Sequence, residues 1–412
     1  MIETTASKNA TLIVCYLYLS TVVSLLSFIQ MNFIIEVLLI VILSLITVKI
    51  NQWNFNFKIV LFYLGLLAYA LFYLPLTETV RYPVGDLVNI LLYSFIPIFI
   101  FAQNNINYQS ILEKWKKAAE IFSIFLPVLL FFREMRWISY YNLGYAAHLN
   151  ILILVLYFFA LKDYKMRNFL LIVINTVFLL IWGSRLVLLS TAITSVLIIL
   201  FLVKEEGYKK IFKITLSIFA VFFLVINLSS ILSVIDQLLD TLDINSRNIT
   251  LIMQQLEGGL EAVLGRRQDF YPQMMELLKG SYGLPRGFGV IRTMTNGEFY
   301  HAHNFVVQFI LTFGLLALFA FSLYVLLYGK RILKESYYAN SKFYIYFISI
   351  VSFLLRSIAG TNFYNDFMFF IIVGMLFSSN YMENKNQSLK ETKDKKQSYI
   401  TNNGGSNESF NG

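Results

Sequence analysis

The sequence predicts an all-α fold: a polytopic transmembrane protein of about twelve spans, with one long extracytoplasmic loop between spans nine and ten. Three observations carry this. Of 412 residues, 58% are hydrophobic and only 14% charged, and mean hydropathy is +0.66; a soluble domain carries about 25% charged residues. Apolar stretches long enough to cross a hydrocarbon core of ~30 Å, roughly 17–25 residues each, recur along most of the chain. The connections between them alternate in positive charge.

Residues 1–231 hold the first nine spans, at 11–30, 33–48, 57–76, 84–102, 118–132, 146–161, 168–183, 186–203 and 211–231. The first stretch is followed by no small-residue cleavage site and reads as a signal anchor. Connections bearing Lys49/Lys58, Lys114/Lys116/Lys117, Lys162/Lys165/Arg167, Lys204/Lys209/Lys210/Lys213 and Lys330/Arg331/Lys334/Lys342 fall on one side. That side is expected to be cytoplasmic, and both termini with it. Residues 232–302 then form the extracytoplasmic loop. It opens with Asp236, Asp240 and Asp243 and continues through Gly265, Gly280, Gly283, Pro285, Gly287 and Gly289, too broken for one long helix. Short helices over the outer mouth are expected. Residues 303–380 hold the last three spans, at 303–328, 343–360 and 363–380. Residues 381–412 are rich in Lys, Asn, Ser and Gly, a composition that predicts disorder.

Composition also excludes function classes. Cys15 is the one cysteine, so disulfides within the chain and cysteine-based metal sites are ruled out. His301 and His303 have no acidic pair at ligand spacing; no metal and no cofactor is expected. The net charge of +9 lies in short loops and the tail, so the expected partner is the lipid bilayer and not nucleic acid.

Under this topology nearly all lysines are cytoplasmic, Lys279 excepted. Nearly all arginines face out or lie in the outer half of a span: Arg81, Arg133, Arg136, Arg185, Arg247, Arg266, Arg267, Arg286, Arg292 and Arg356. Arginine stays charged and its planar fork fits phosphate bidentately, whereas lysine is a solvated point charge. As a set the outer arginines favour an anionic ligand; the structural alternative pairs them with Glu78, Asp86, Glu134 and Asp366. Arg185 sits at a minimal break between two apolar runs. Arg356 lies a turn or more inside its span, where a charge must be paired or face a wet cavity.

Gly265-Arg266-Arg267-Gln268-Asp269-Phe270, Leu284-Pro285-Arg286-Gly287-Phe288-Gly289, and His301-Ala302-His303-Asn304 with Gly314-Leu315-Leu316 together resemble the O-antigen ligase / O-antigen polymerase superfamily. Ser184-Arg185 resembles that family's serine-arginine at the outer end of a mid-chain helix. The resemblance covers roughly residues 140–375. Phe270 stands where the family usually has tryptophan, and Ala317 where ligases tend to have glycine or a similar residue. The resemblance implies a bacterial cytoplasmic (inner) membrane enzyme taking a polyprenyl-diphosphate-linked glycan as donor. It would transfer the glycan to a sugar hydroxyl on the outer face and release the lipid diphosphate. In a polymerase of O-antigen or capsular polysaccharide the acceptor is another lipid-linked repeat unit, and a chain-length regulator is a further partner. In a ligase the acceptor is a lipid A core.

Carried onto this chain, His303 becomes the general base, the role that imidazole suits near neutral pH. Asn304 would orient it or bind a sugar hydroxyl. Arg185 and Arg266 would clamp the diphosphate, with Arg267, Arg286 and Arg356 as further contacts. Gly287 and Gly289 would let backbone approach the sugar. His301 reads as a supporting or surface residue and His148 as structural. Tyr271, Tyr282 and Tyr300 could stack on sugars. Two other classes compete: a transporter or flippase for lipid-linked sugars, expected to put its charges at the midplane on broken helices, and a non-catalytic scaffold, which leaves the arginine set unexplained.

Overall fold

A computed structural model describes residues 4–26, 32–76, 79–103, 106–129, 140–182, 184–203, 215, 227–241, 246–264, 267–335, 341–358, 360 and 362–378. All regular structure among them is helical. The first nine helices are α1 (Thr5–Leu17), α2 (Leu19–Leu25), α3 (Asn32–Ile50), α4 (Phe57–Tyr73), α5 (Arg81–Ala102), α6 (Tyr108–Val128), α7 (Tyr140–Val155), α8 (Met166–Trp182) and α9 (Arg185–Leu202). After them come α10 (Leu228–Thr241), α11 (Arg247–Leu264), α12 (Arg267–Gly280) and the single turn α13 (Val290–Met294). Last are α14 (Phe305–Phe313), α15 (Leu315–Glu335), α16 (Ser341–Ser357) and α17 (Phe367–Phe377).

Helix is what an apolar environment demands, because it satisfies every backbone N–H and C=O within the segment. Ends are closed by side chains where the sequence supplies them. Asn56 caps α4, Asn107 caps α6, Ser184 caps α9 and Asp366 caps α17, each accepting a backbone N–H of the first turn. Among the described residues four helical stretches are long and apolar enough to cross a bilayer: Arg81–Ala102, Asn142–Ala160, Arg185–Leu202 and Leu315–Leu333. The pair α1 and α2, bent by 53°, makes a fifth when taken as one span.

Several expected spans take another form. The expected span 303–328 is broken at Gly314, whose φ of 91° ends α14, and the crossing stretch begins only at Leu315. The helix expected at 118–132 starts earlier, at Tyr108, and its first two turns carry Gln109 and Glu113 as well as the buried Ile111 and Leu112. The last span opens as a 3-10 turn, Phe363–Asn365, before the 11 residues of α17. Most of the expected span 211–231 lies outside the described residues, as does the 381–412 tail; Leu228 to Ile231 open α10 instead.

The contacts sort the bundle into two ends. At one, Asn9 bonds Asn51, Asn56 bonds the Ala102 carbonyl, Lys116 meets Asp163 and Ser341 meets Gln109. Lys58, Lys114, Lys165 and Lys342 belong to this end. At the other, Ser24 bonds Asn142, Tyr73 lies under Gly287, and Arg292 meets Asp86. The loop carrying His301 and His303 belongs there. Between the ends, α17 packs closely on α5: a Cβ at Gly374 would stand 2.7 Å from the Pro97 carbonyl oxygen.

Candidate functional site

Helices α12, α13 and α14 enclose a small apolar core of their own, built on Phe270, Met274, Val290, Ile291, Ala302 and Leu311. Ala302, fully buried, pins the chain between the two histidines. Their rings approach to 4.1 Å between centroids, tilted by 53°. Phe270 meets the His303 ring edge-on at 6.3 Å and packs on Phe299 at 4.2 Å. Two stretches singled out separately in the sequence thus converge. They do so because α12 and α14 share one apolar seam.

His303 has φ of 52°, a left-handed conformation that costs a non-glycine residue about 1–2 kcal/mol. Strain of this kind is held where surrounding structure enforces it, commonly at functional positions. Asn304 follows in extended conformation and caps α14, its Oδ1 accepting the Val307 N–H at 3.2 Å. His301 Nε2 lies 3.2 Å from the Gly360 carbonyl oxygen. A carbonyl only accepts, so Nε2 carries the proton. Gln308 Nε2 donates to Asn362 Oδ1 at 3.0 Å. The histidine loop is therefore docked on the connection between α16 and α17.

Beneath that connection lies a buried polar cluster. Arg356 Nη2 and Asp366 Oδ2 stand 2.7 Å apart, with both side chains at most 3% exposed. The guanidinium lies 4.4 Å over the Tyr145 ring. His148 stacks beside Tyr145, its ring nitrogens 2.7 Å from Thr191 Oγ1 and 2.6 Å from Ser352 Oγ. Asp366 is among the partners the sequence offers Arg356; Tyr145, Thr191 and Ser352 carry much less of a signature. Their only signal is a polar residue interrupting each of three apolar runs, on α7, α9 and α16, which meet only in the folded chain.

The other sequence-selected residues are distributed around this end of the bundle. Arg185 opens α9, half-buried, directly after its Ser184 cap. Arg267 opens α12, one turn before Phe270. Arg286 is exposed; its Nη2 donates to the Gly280 carbonyl at 3.0 Å and its backbone N–H to Leu311 at 2.8 Å. Arg266, Gly265, Arg133 and Arg136 lie outside the described residues. Arg292 pairs with Asp86 at 3.0 Å and lies 5.0 Å from the Tyr300 ring centre. Two of the expected outer arginines thus hold the protein's own carboxylates.

Gly287 and Gly289 have φ of 86° and 74°, and a Cβ at either would meet Tyr73 or Pro83 at 2.6 Å. The close approach at both is to α4 and α5. Gly289 also donates its N–H to Asp86 Oδ2 at 3.0 Å. Among the described residues no group of three or more His, Cys, Asp or Glu side chains could hold a metal ion. No family model, curated protein or solved structure matches the chain.

Proposed function

We propose that the chain is a membrane glycosyltransferase that polymerises polyprenyl-diphosphate-linked oligosaccharide repeat units on the outer face of the bacterial cytoplasmic membrane. The observation that supports this most is the His301–His303 pair, held against Phe270 at the end of the bundle opposite the lysines. An acceptor hydroxyl gives its proton to the His303 imidazole as its oxygen attacks the anomeric carbon. The bond from that carbon to the diphosphate oxygen breaks, and its electron pair leaves with the diphosphate. Arg185 and Arg266 hold the charge that develops there, with Arg267 and Arg286 as further contacts. Arg356, committed to Asp366, serves better as scaffold beneath the loop than as a ligand contact.

Purified protein in proteoliposomes, given lipid-linked repeat units alone, is expected to build longer chains. Product that forms only after a lipid A core acceptor is added would convert the reading to a ligase. A second reading, a transporter for lipid-linked sugars, draws on the buried Arg356–Asp366 pair and its neighbour His148, since intramembrane ionisable groups mark transport paths. Movement of the lipid-linked unit across sealed vesicles without any new glycosidic bond would favour it.

A further inference from the structure

We propose that the groove between α4, α15 and α17 is a binding site for one anionic phospholipid of the lysine-side leaflet. This stands apart from the glycosyltransferase reading and uses different residues. The groove encloses about 720 Å³ and is lined by apolar and aromatic side chains, among them Phe62, Leu66, Ala317, Phe321 and Phe370. That volume falls within the roughly 300–1,000 Å³ of small-ligand sites. Two tyrosines contribute to the lining, but their hydroxyls are already committed: Tyr69 donates to the Thr312 carbonyl and Tyr324 to the Leu376 carbonyl. Lys58 is the one charged lining residue. It is exposed, and none of the described ion pairs includes it.

Dimensions and charge select the occupant. From Lys58 to Tyr69 the wall of α4 rises about 16 Å at 1.5 Å per residue, the depth of one leaflet's share of a ~30 Å hydrocarbon core. An acyl chain laid in the groove from the Lys58 end would end near the bilayer midplane. Its phosphate would lie beside the ammonium group, which binds phosphate as a point charge. The charge is at the wrong end for a polyprenyl diphosphate whose reacting group meets His303, so an ordinary anionic phospholipid is the better fit.

The test is native mass spectrometry of protein released from nanodiscs of equal phosphatidylglycerol and phosphatidylcholine with matched acyl chains. One retained lipid is expected, with phosphatidylglycerol preferred roughly fivefold, the discrimination one lysine gives at an anionic lipid surface. Lys58→Gln should remove the preference and Lys58→Arg keep it; both sit at an exposed position and leave folding intact. Ala317→Trp should abolish retention of either lipid, with its thermal unfolding in detergent checked against wild type. Equal retention of the two lipids, or a preference unchanged in Lys58→Gln, would overturn the proposal. So would displacement of both lipids by added polyprenyl phosphate.

Discussion

Gly289 is held in a backbone conformation that L side chains rarely adopt, and its missing Cβ faces the Pro83 backbone nitrogen at 2.6 Å. A side chain there must move backbone as well as carry torsional strain. Gly289→Ala should cost about 1–3 kcal/mol, read as a lowered unfolding temperature in detergent. Gly65→Ala, with nothing within 4 Å of its would-be Cβ, is the control that should not lower it. The pattern of glycines was legible in the sequence as a break in helix, but not what each glycine approaches. The same holds at His301 and His303. The two residues themselves were legible, while their ring contact depends on Ala302 being buried in a core assembled from residues on three other segments.

Among the elements, the α16–α17 connection does the most to position the histidine loop. Arg356 closes it from one helix and Asp366 from the other, and Asp366 Oδ1 also accepts the Phe369 N–H at 3.0 Å. Removing one partner of a buried pair leaves the other charge uncompensated, at about 3–5 kcal/mol. Arg356→Met alone should therefore unfold at much lower temperature, and adding Asp366→Asn should recover part of the loss because the cap survives and the charge does not. Two single losses that simply add would contradict that coupling. At the opposite end, Asp163 meets Lys116 at 2.5 Å and Lys165 at 3.4 Å. The hydrogen bond from Lys116 holds its carboxyl down to about 2, below the usual value of about 3.9. The contribution is thus fully present above about pH 4 and is lost as pH falls from there toward about 2. Unfolding temperature should decline across that window and decline less in Asp163→Asn; being near the surface, the effect is small. These pairings were legible only as charges beside apolar runs. The break at Gly314 was hidden for a different reason: Phe305 to Tyr328 is apolar enough to read as one span, and only the positive φ at Gly314 divides it.

For the whole molecule, mean hydropathy was enough to read an all-helical chain with several apolar helices long enough to cross a bilayer, which leaves few other solutions. The span count is another matter: among the described residues four helices, or five with the bent pair α1 and α2 taken as one span, are long and apolar enough to cross, against about twelve expected. The two-ended arrangement makes a direct prediction. In a chain with Cys15 replaced by Ser, a single cysteine at Tyr282 should react with membrane-impermeant maleimide from outside intact cells. One at Tyr164 should react only after lysis. The side chains are 90% and 55% exposed, so neither result is limited by burial.

The most direct test of the central proposal is glycosyl transfer by His303→Ala in proteoliposomes of verified orientation, with donor binding measured in parallel. General-base catalysis predicts a rate about 10²- to 10⁴-fold below wild type with donor affinity retained. Full activity in His303→Ala would contradict it.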